Sequence, residues 1–381
     1  MANILDYLTW RGEQSFAAVP WTPIDALLLA NLSYNDLPDA AATEQGALLT
    51  DIAADMDEDS VPEGEYDAKW HQLIFTMADT VRFGHIRLHD FVNTVDDARG
   101  IQFSAVTADL PGGQRCVCFR GTDATLVGWR EDFTMAFESP VPAQMEAVTY
   151  LERAAIRAPG GLYVVGHSKG GNLAAYAAAH ASPVTQRQLL GVYSFDGPGL
   201  DADTMASQGY ARIRPVLHAF IPQSSVVGLL ITDHPDYTVV RSDAVGLLQH
   251  DSFSWQLVGP RFDELGEVDA ASRVIDDTLH AWLKQSTPDQ RRTFVETIFS
   301  ILEATGADTL SDISADKLKS AAAMLAAARD IDPETAKMIA RMVGQLLTIG
   351  AENVLDEVLQ HPIDFLRNAL HPDDSQHTQE E

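Results

Sequence analysis

The sequence predicts an α/β protein with a mostly parallel sheet, followed by a C-terminal helical appendage, and three observations carry that reading. From residue 85 to about 120 the apolar residues alternate with period two, in "HIRLHDFVNTVD", "IQFSAVTADL" and "QRCVCFRG", as half-buried strands do. Between 141 and 222 short apolar runs alternate with segments of helical spacing, which implies parallel strands with helices on both faces. Beyond about 266 the strand signal stops and only helical spacing remains. A chain of 381 residues suits one large domain with an addition. The expected division is a domain over 1–265, a helical region over 266–371 and a polar, acidic, disordered tail over 372–381.

Taken in order, "IDALLLANLSY" reads as an early apolar helix, and the acidic "TDIAADMDEDSVPEGEYD" reads as a surface loop. The period-two segments, with "PGG" at 111–113 as a turn, read as an antiparallel meander feeding the sheet. "VPAQMEAVTYLERAAIRA" has helical spacing, "LYVVG" is a buried strand, "GGNLAAYAAAHA" a helix and "LLGVYSF" another strand; "VLHAFIP" and "YTVVRS" extend the sheet. In the C-terminal region "SRVIDDTLHAWLKQ", "DQRRTFVETIFSILEATG", "ADKLKSAAAMLAAARD" and "ETAKMIARMVGQLLTIGAENVLDEVLQ" are helical, three of them preceded by the start signals "TP", "SA" and "DP".

Composition excludes several classes. The 55 acidic residues outnumber 26 basic ones, for a formal charge of −29, so the summed field repels phosphate backbones and anionic membranes. Nucleic acid is not an expected partner. The apolar runs, such as "VVGLLI", are far shorter than the roughly 20 residues of a spanning helix. "MANILDYLTWRGEQSF" has neither the basic start nor the apolar core of a secretion signal. Cys116 and Cys118 stand two apart on a strand, hence on one face, where they do not bridge each other without breaking it. A reducing, cytoplasmic location is the expectation.

The chemistry gathers around "VVGHSKGGNLA". A G-x-S-x-G pattern says little by itself, but here it follows a strand and opens a helix, the context of a nucleophile elbow. Such a turn strains the serine backbone and presses strand against helix, so Gly166 and Gly170 are expected to lack side chains for want of room. Ser168 would stand at the carboxyl end of its strand, beside a helix N-terminus that favours negative charge. A Gly-rich turn with an incidental serine is the plainer alternative; a phosphate loop is disfavoured because Lys169 follows the serine. A serine nucleophile requires a base, an acid and oxyanion donors, and in this arrangement the acid and then the base follow the serine in the chain. Asp196 in "YSFDGPGL" ends the next strand, although Asp-Gly-Pro-Gly is also good turn chemistry. Of His218, His234 and His250, the first sits in a strand pattern, the second precedes Pro235 in a turn, and His250 follows the last strand on a loop, as a base should. The oxyanion donors would be the backbone N–H of Lys169 and an N–H from the loop in "CVCFRGTDATLVGWREDF", where Gly121 lets the backbone turn and Thr122 offers an N–H and a hydroxyl.

These segments together resemble a known group. "FRGT", "GWREDF" and "VVGHSKGGNLA" are similar to the pattern of the class 3, fungal-type triacylglycerol lipases, and the set "FRGTD", "GHSKGGNLA", "FDGPG" and "QHDSFSW" resembles, more closely, a bacterial family of lipase-like domains of largely unassigned function. The likeness spans roughly residues 25–260. It implies an α/β-hydrolase fold, a Ser/Asp/His triad, an oxyanion contribution from Thr122, and a lid formed by the segment after Thr122 with Leu126, Val127, Trp129 and Phe133; an ordinary surface helix is the alternative for that segment. The chain departs from the lipases at one place. Where they carry the triad aspartate in a D-x-V-P motif, "IPQSSVVGLL" has Ser224 and Ser225. The acid must come from elsewhere or be missing; Asp196, one strand earlier, ends at the same sheet edge, and Asp243 and Asp251 are further candidates.

The expectation is a serine hydrolase that cleaves acyl esters, of small molecules or lipids, through an acyl-enzyme on Ser168. His250 transfers the proton, Asp196 orients the imidazole, and Thr122 with Lys169 holds the oxyanion. The chemistry requires no cofactor and no metal. The same apparatus serves thioesterases, peptidases and acyltransferases. A different class, a catalytically weak protein that binds an acyl ligand or a protein partner, is raised by the missing D-x-V-P aspartate.

Overall fold

Strands that are apolar on both faces need cover on both sides of a sheet, and the computed structural model of the protein supplies it from two different parts of the chain. The structure describes residues 2–58, 65–96, 99–122, 126–135, 138–225, 227–229, 236–244, 246–306 and 333–339, with single residues at 327, 331 and 341. The expected helices after 306 and the tail over 372–381 lie almost wholly outside the described residues.

The central sheet has nine strands. In chain order the strands are β1 (Ala47–Leu48), β2 (Arg87–Asp96), β3 (Ile101–Asp109), β4 (Arg115–Phe119), β5 (Leu162–His167), β6 (Leu189–Phe195), β7 (Leu217–Pro222) and β8 (Tyr237–Val240). A small hairpin of β9 (Leu257–Val258) and β10 (Arg261–Phe262) follows, and β11 (Glu264–Leu265) closes the edge against β8. Strands β1 to β4 pair antiparallel, the expected meander, and β4 to β8 pair parallel. The principal helices are α1 (Ile4–Arg11), α2 (Pro23–Leu32), α3 (Glu65–Ala78), α4 (Leu126–Met135), α5 (Pro142–Ala155), α6 (Lys169–His180), α7 (Ala270–Gln285) and α8 (Pro288–Glu303). This is the α/β-hydrolase fold that the sequence predicts.

The parallel strands lie side by side in chain order. Right-handed crossovers then place every connecting helix on the same face. There α5 and α6 bury Ala147, Leu151, Leu173 and Ala177 against Val117, Val164 and Val192 of the sheet. The opposite face receives no crossover helix, and the N-terminal helices cover it. Leu27, Leu28, Leu32, Leu73 and Ile74 pack there against Cys118, Val165 and Phe195. Helix α2 is buried along nearly its whole length, so it carries no polar face and its apolar run has no amphipathic period. Its N-terminus is fixed by a capping box between Thr22 and Asp25.

One local expectation changes. The acidic stretch begins as a helix, Leu49–Asp55, because Leu49, Ile52 and Ala53 form a buried stripe at helical spacing. Helix α8 lies against α4 and the chain just after it. Phe299 sets its ring edge-on to Phe133 of α4 at 5.8 Å, Arg130 pairs with Glu303 at 3.0 Å, and Arg292 with Glu138 at 3.1 Å. Cys116 and Cys118 are free and buried on one face, their Sγ atoms 3.7 Å apart. Among the described residues no helix is long and apolar enough to cross a membrane.

Candidate active site

Ser168 is the first residue after β5 and the N-cap of α6, with φ 58° and ψ −134°. A non-glycine residue in that region carries strain, and its neighbours must over-determine it. The Ser168 N–H donates to Phe195 O at 2.9 Å, and Ser168 O accepts from Gly171 N at 2.8 Å. Side chains on either flanking glycine would collide with backbone: a Cβ on Gly166 would fall 2.0 Å from Gly170 O, and one on Gly170 2.1 Å from Phe119 O. Strand β4, strand β5 and helix α6 therefore meet backbone to backbone beneath the serine.

Asp196 ends β6 and also has a positive φ, 46°. Its N–H donates to Phe220 O at 2.7 Å, tying the turn to β7. The carboxylate is buried and fully engaged. Oδ2 lies 2.6 Å from His250 Nδ1, while Oδ1 accepts from Ser225 Oγ at 2.5 Å and from Gly228 N at 3.1 Å. A Cβ on Gly228 would sit 2.6 Å from Oδ1, so only glycine admits that amide. Ser225 lies in the segment where the D-x-V-P aspartate is absent, and its hydroxyl holds the carboxylate offered from the neighbouring strand. Asp251 is committed elsewhere, pairing with Lys69 at 2.8 Å and accepting from Phe253 N, and Asp243 is exposed, with its backbone N–H donating to Ser254 O.

His250 sits at the end of the short turn Gly246–His250. A carboxylate at Nδ1 keeps the ring proton on that nitrogen by accepting its hydrogen bond, leaving Nε2 with the lone pair a base uses. The His250 ring lies tilted against His167 with centroids 4.7 Å apart, and its backbone O accepts from His167 Nε2 at 2.8 Å. His167 Nδ1 meets the Tyr34 hydroxyl at 3.0 Å, and Tyr34 stacks on Trp70 at 4.0 Å. Burial, followed by the nearby His250, pushes the His167 pKa down to about 3, so this ring stays neutral. Of the other histidines, His218 stacks on Tyr193 at the opposite end of β7, and His234 lies outside the described residues.

Thr122 follows Gly121 just past β4. Gly121 is needed for space rather than for turning: its φ is not positive, and a Cβ would fall 2.0 Å from Tyr34 Oη and 3.0 Å from Ser168 Cβ. The Thr122 hydroxyl donates to Asp132 Oδ2 on α4. Asp132 Oδ1 is buried with no hydrogen-bond partner among the described residues. Burial pushes the carboxyl up to about 6, opposed by Lys169, the Thr122 hydrogen bond and His250. The Lys169 ammonium, with no exposed surface, donates to Gln102 O at 2.9 Å, to Gln102 Oε1, and to Glu131 Oε2 at 3.1 Å.

The segment expected as a lid is α4. Leu126 and Met135 are buried and Phe133 is half exposed against Phe299; the side chains of Val127 and Trp129 lie outside the described residues. Glu131 and Asp132 in "GWREDF" carry no assignment from sequence, where two adjacent acids beside Arg130 are the available signal. Ser225 reads from sequence only as a departure, and no local pattern marks Tyr34 or Gly228 as neighbours of the site.

A family model described as Mbeg1-like matches residues 77–300, which includes β4 to β8, all three proposed triad residues and both carboxylates of α4. The chain belongs to the Mbeg1-like family. Among solved structures it is similar to one titled "Crystal structure of M37 lipase", at 13% identity and a TM-score of 0.34, over 55% of this chain and 70% of that one. No curated protein matches.

Proposed function

We propose that the protein is a serine hydrolase of carboxylic esters, with Ser168 as nucleophile, His250 as general base and Asp196 as the acid that orients it. The observation that carries this reading is the buried Asp196 carboxylate on His250 Nδ1 at 2.6 Å, in an Asp turned toward the ring by its own strained backbone. A carboxylate there fixes the tautomer and stabilises the imidazolium formed when Ser168 Oγ attacks the acyl carbon. The proton passes from Oγ to Nε2 and then to the leaving alcohol; water, activated by the same nitrogen, cleaves the acyl-enzyme. The N–H groups of Lys169 and Thr122 are the proposed oxyanion donors, the first at the start of α6, where the helix dipole favours the developing charge. The substrate is an ester of a small molecule or lipid, and no cofactor takes part.

Turnover of a series of p-nitrophenyl esters of graded acyl length tests the reading. The expected result is burst kinetics with wild type, none with Ser168→Ala, and for Asp196→Asn a kcat lower by about 10⁴-fold with the fold intact. Unchanged turnover in Asp196→Asn would remove the relocated acid and favour a protein that binds acyl ligands without cleaving them.

A further inference from the structure

We infer that the buried Lys169–Glu131 pair is a positioning device for the oxyanion site, and that α4 is a fixed wall of that site rather than a hinged lid. The inference rests on the serine-hydrolase reading, since it assigns to the pair a role in that reaction.

The pair links four parts of the chain. Lys169 is the residue after the nucleophile, and its own N–H is a proposed oxyanion donor, so whatever fixes its side chain also fixes the backbone beside Ser168. Its three ammonium donors all find acceptors: Gln102 O and Gln102 Oε1 on β3, and Glu131 Oε2 on α4. Glu131 is equally saturated. Oε2 also accepts from Gln102 N at 3.3 Å, and Oε1 accepts from Ala143 N at the start of α5 at 3.0 Å. Both side chains are essentially without solvent contact, at 0% and 1% exposure. The next residue of α4, Asp132, accepts from the Thr122 hydroxyl. Two consecutive carboxylates on one helix thus reach the two residues whose N–H groups are proposed to hold the oxyanion.

This arrangement opposes lid motion. A lid opens when its inner face is apolar and finds a compensating apolar surface outside. Swinging α4 away would separate an ammonium from a carboxylate in a dry setting and strip both of their other partners, a loss that no contact among the described residues repays. The pair also suits a positioning role better than a stabilising one. Buried pairs seldom add net stability over apolar residues of the same size, but they demand one geometry, and a donor misplaced by about an ångström forfeits much of its effect on a transition state.

The test compares full-length wild type with Lys169→Met, Lys169→Arg, Glu131→Gln and the double variant Lys169→Met/Glu131→Met. The readouts are kcat and KM on a short p-nitrophenyl ester, melting temperature, and hydrogen exchange of the peptide covering 126–135. The double variant replaces the pair by apolar groups, so it separates folding from positioning. The expected result is that Lys169→Met and Glu131→Gln lower kcat about 10- to 100-fold with KM within about threefold. Lys169→Arg recovers part of the loss, and the double variant melts like wild type yet stays slow. Exchange in 126–135 rises when Lys169 is replaced. A double variant as fast as wild type, or a Lys169→Met enzyme that is faster with a lower KM, would overturn the inference. If wild type cleaves no ester, the hydrolase reading fails on its own terms and exchange decides the rest: unchanged protection of 126–135 in Lys169→Met overturns the fixed wall, and increased exchange upholds it.

Discussion

Ser225 and Ser224 stand side by side after β7, yet their hydroxyls serve different acids. Ser225 Oγ donates to Asp196 at 2.5 Å, whereas Ser224 Oγ donates to Asp269, the N-cap of α7. A hydrogen bond to a buried carboxylate contributes more than a neutral one, and this one holds the carboxylate that meets His250 Nδ1. Ser225→Ala is therefore expected to lower kcat about tenfold, while Ser224→Ala leaves it within about twofold; steady-state kinetics on one ester distinguishes them, and equal effects would dissociate Ser225 from the reaction. At this scale the sequence is uneven. Ser168 is legible because strain, glycines and a strand-to-helix switch coincide in a few residues. Asp196 is legible because adjacent parallel strands end at one edge. Ser225, 29 positions from Asp196, and Tyr34, 133 from His167, are not, because contact across the sheet leaves no periodic trace.

At the scale of the element, α4 turns the expectation of a lid into that of a wall, and its Asp132 gives the helix a pH dependence. Burial raises this carboxyl from 3.8 to about 6. Between those values the unfolded chain has lost the proton and the folded chain keeps it, so this contribution to stability is complete below about pH 3.8 and is lost as pH rises through about 6. Asp132→Asn, which cannot ionise, should gain melting temperature relative to wild type as the pH is raised from 4 to 8; a difference constant across that range would mean that the carboxyl titrates normally. His167 slopes the other way. Its lowered pKa makes stability fall as pH drops from 6.5 toward about 3, a slope shared by wild type and Asp132→Asn and so absent from their difference. The α4 segment entered only through the resemblance; periodicity located α5 and α6 and the strands beside them. It missed the helix Leu49–Asp55, whose apolar stripe is a single turn and a half among acids, and it did not give the contact of α8 with α4, which depends on tertiary packing rather than on either helix alone.

For the whole molecule, the fold follows from strand order. Consecutive parallel strands send their crossovers to one face, and the first 80 residues complete the other, so the N-terminal helices are a structural half of the domain and not an extension. The meander, the parallel run and the loss of strands over 266–306 are readable from pattern; which face each helix covers is not, since handedness enters only once the strand order is known. The charge of −29 sets a field against anionic substrates. Adding salt should raise kcat/KM for an ester bearing a carboxylate or phosphate and leave that for a neutral ester unchanged; equal salt response would show that the site is insulated from the surface charge. The central claim is that Ser168 is an activated nucleophile, and the most direct measurement is exposure of the folded protein to a fluorophosphonate, with the adduct mapped by peptide mass. The account predicts stoichiometric labelling at Ser168, abolished in Ser168→Ala and strongly slowed in Asp196→Asn. An unlabelled folded protein, or an adduct on another residue, would contradict it.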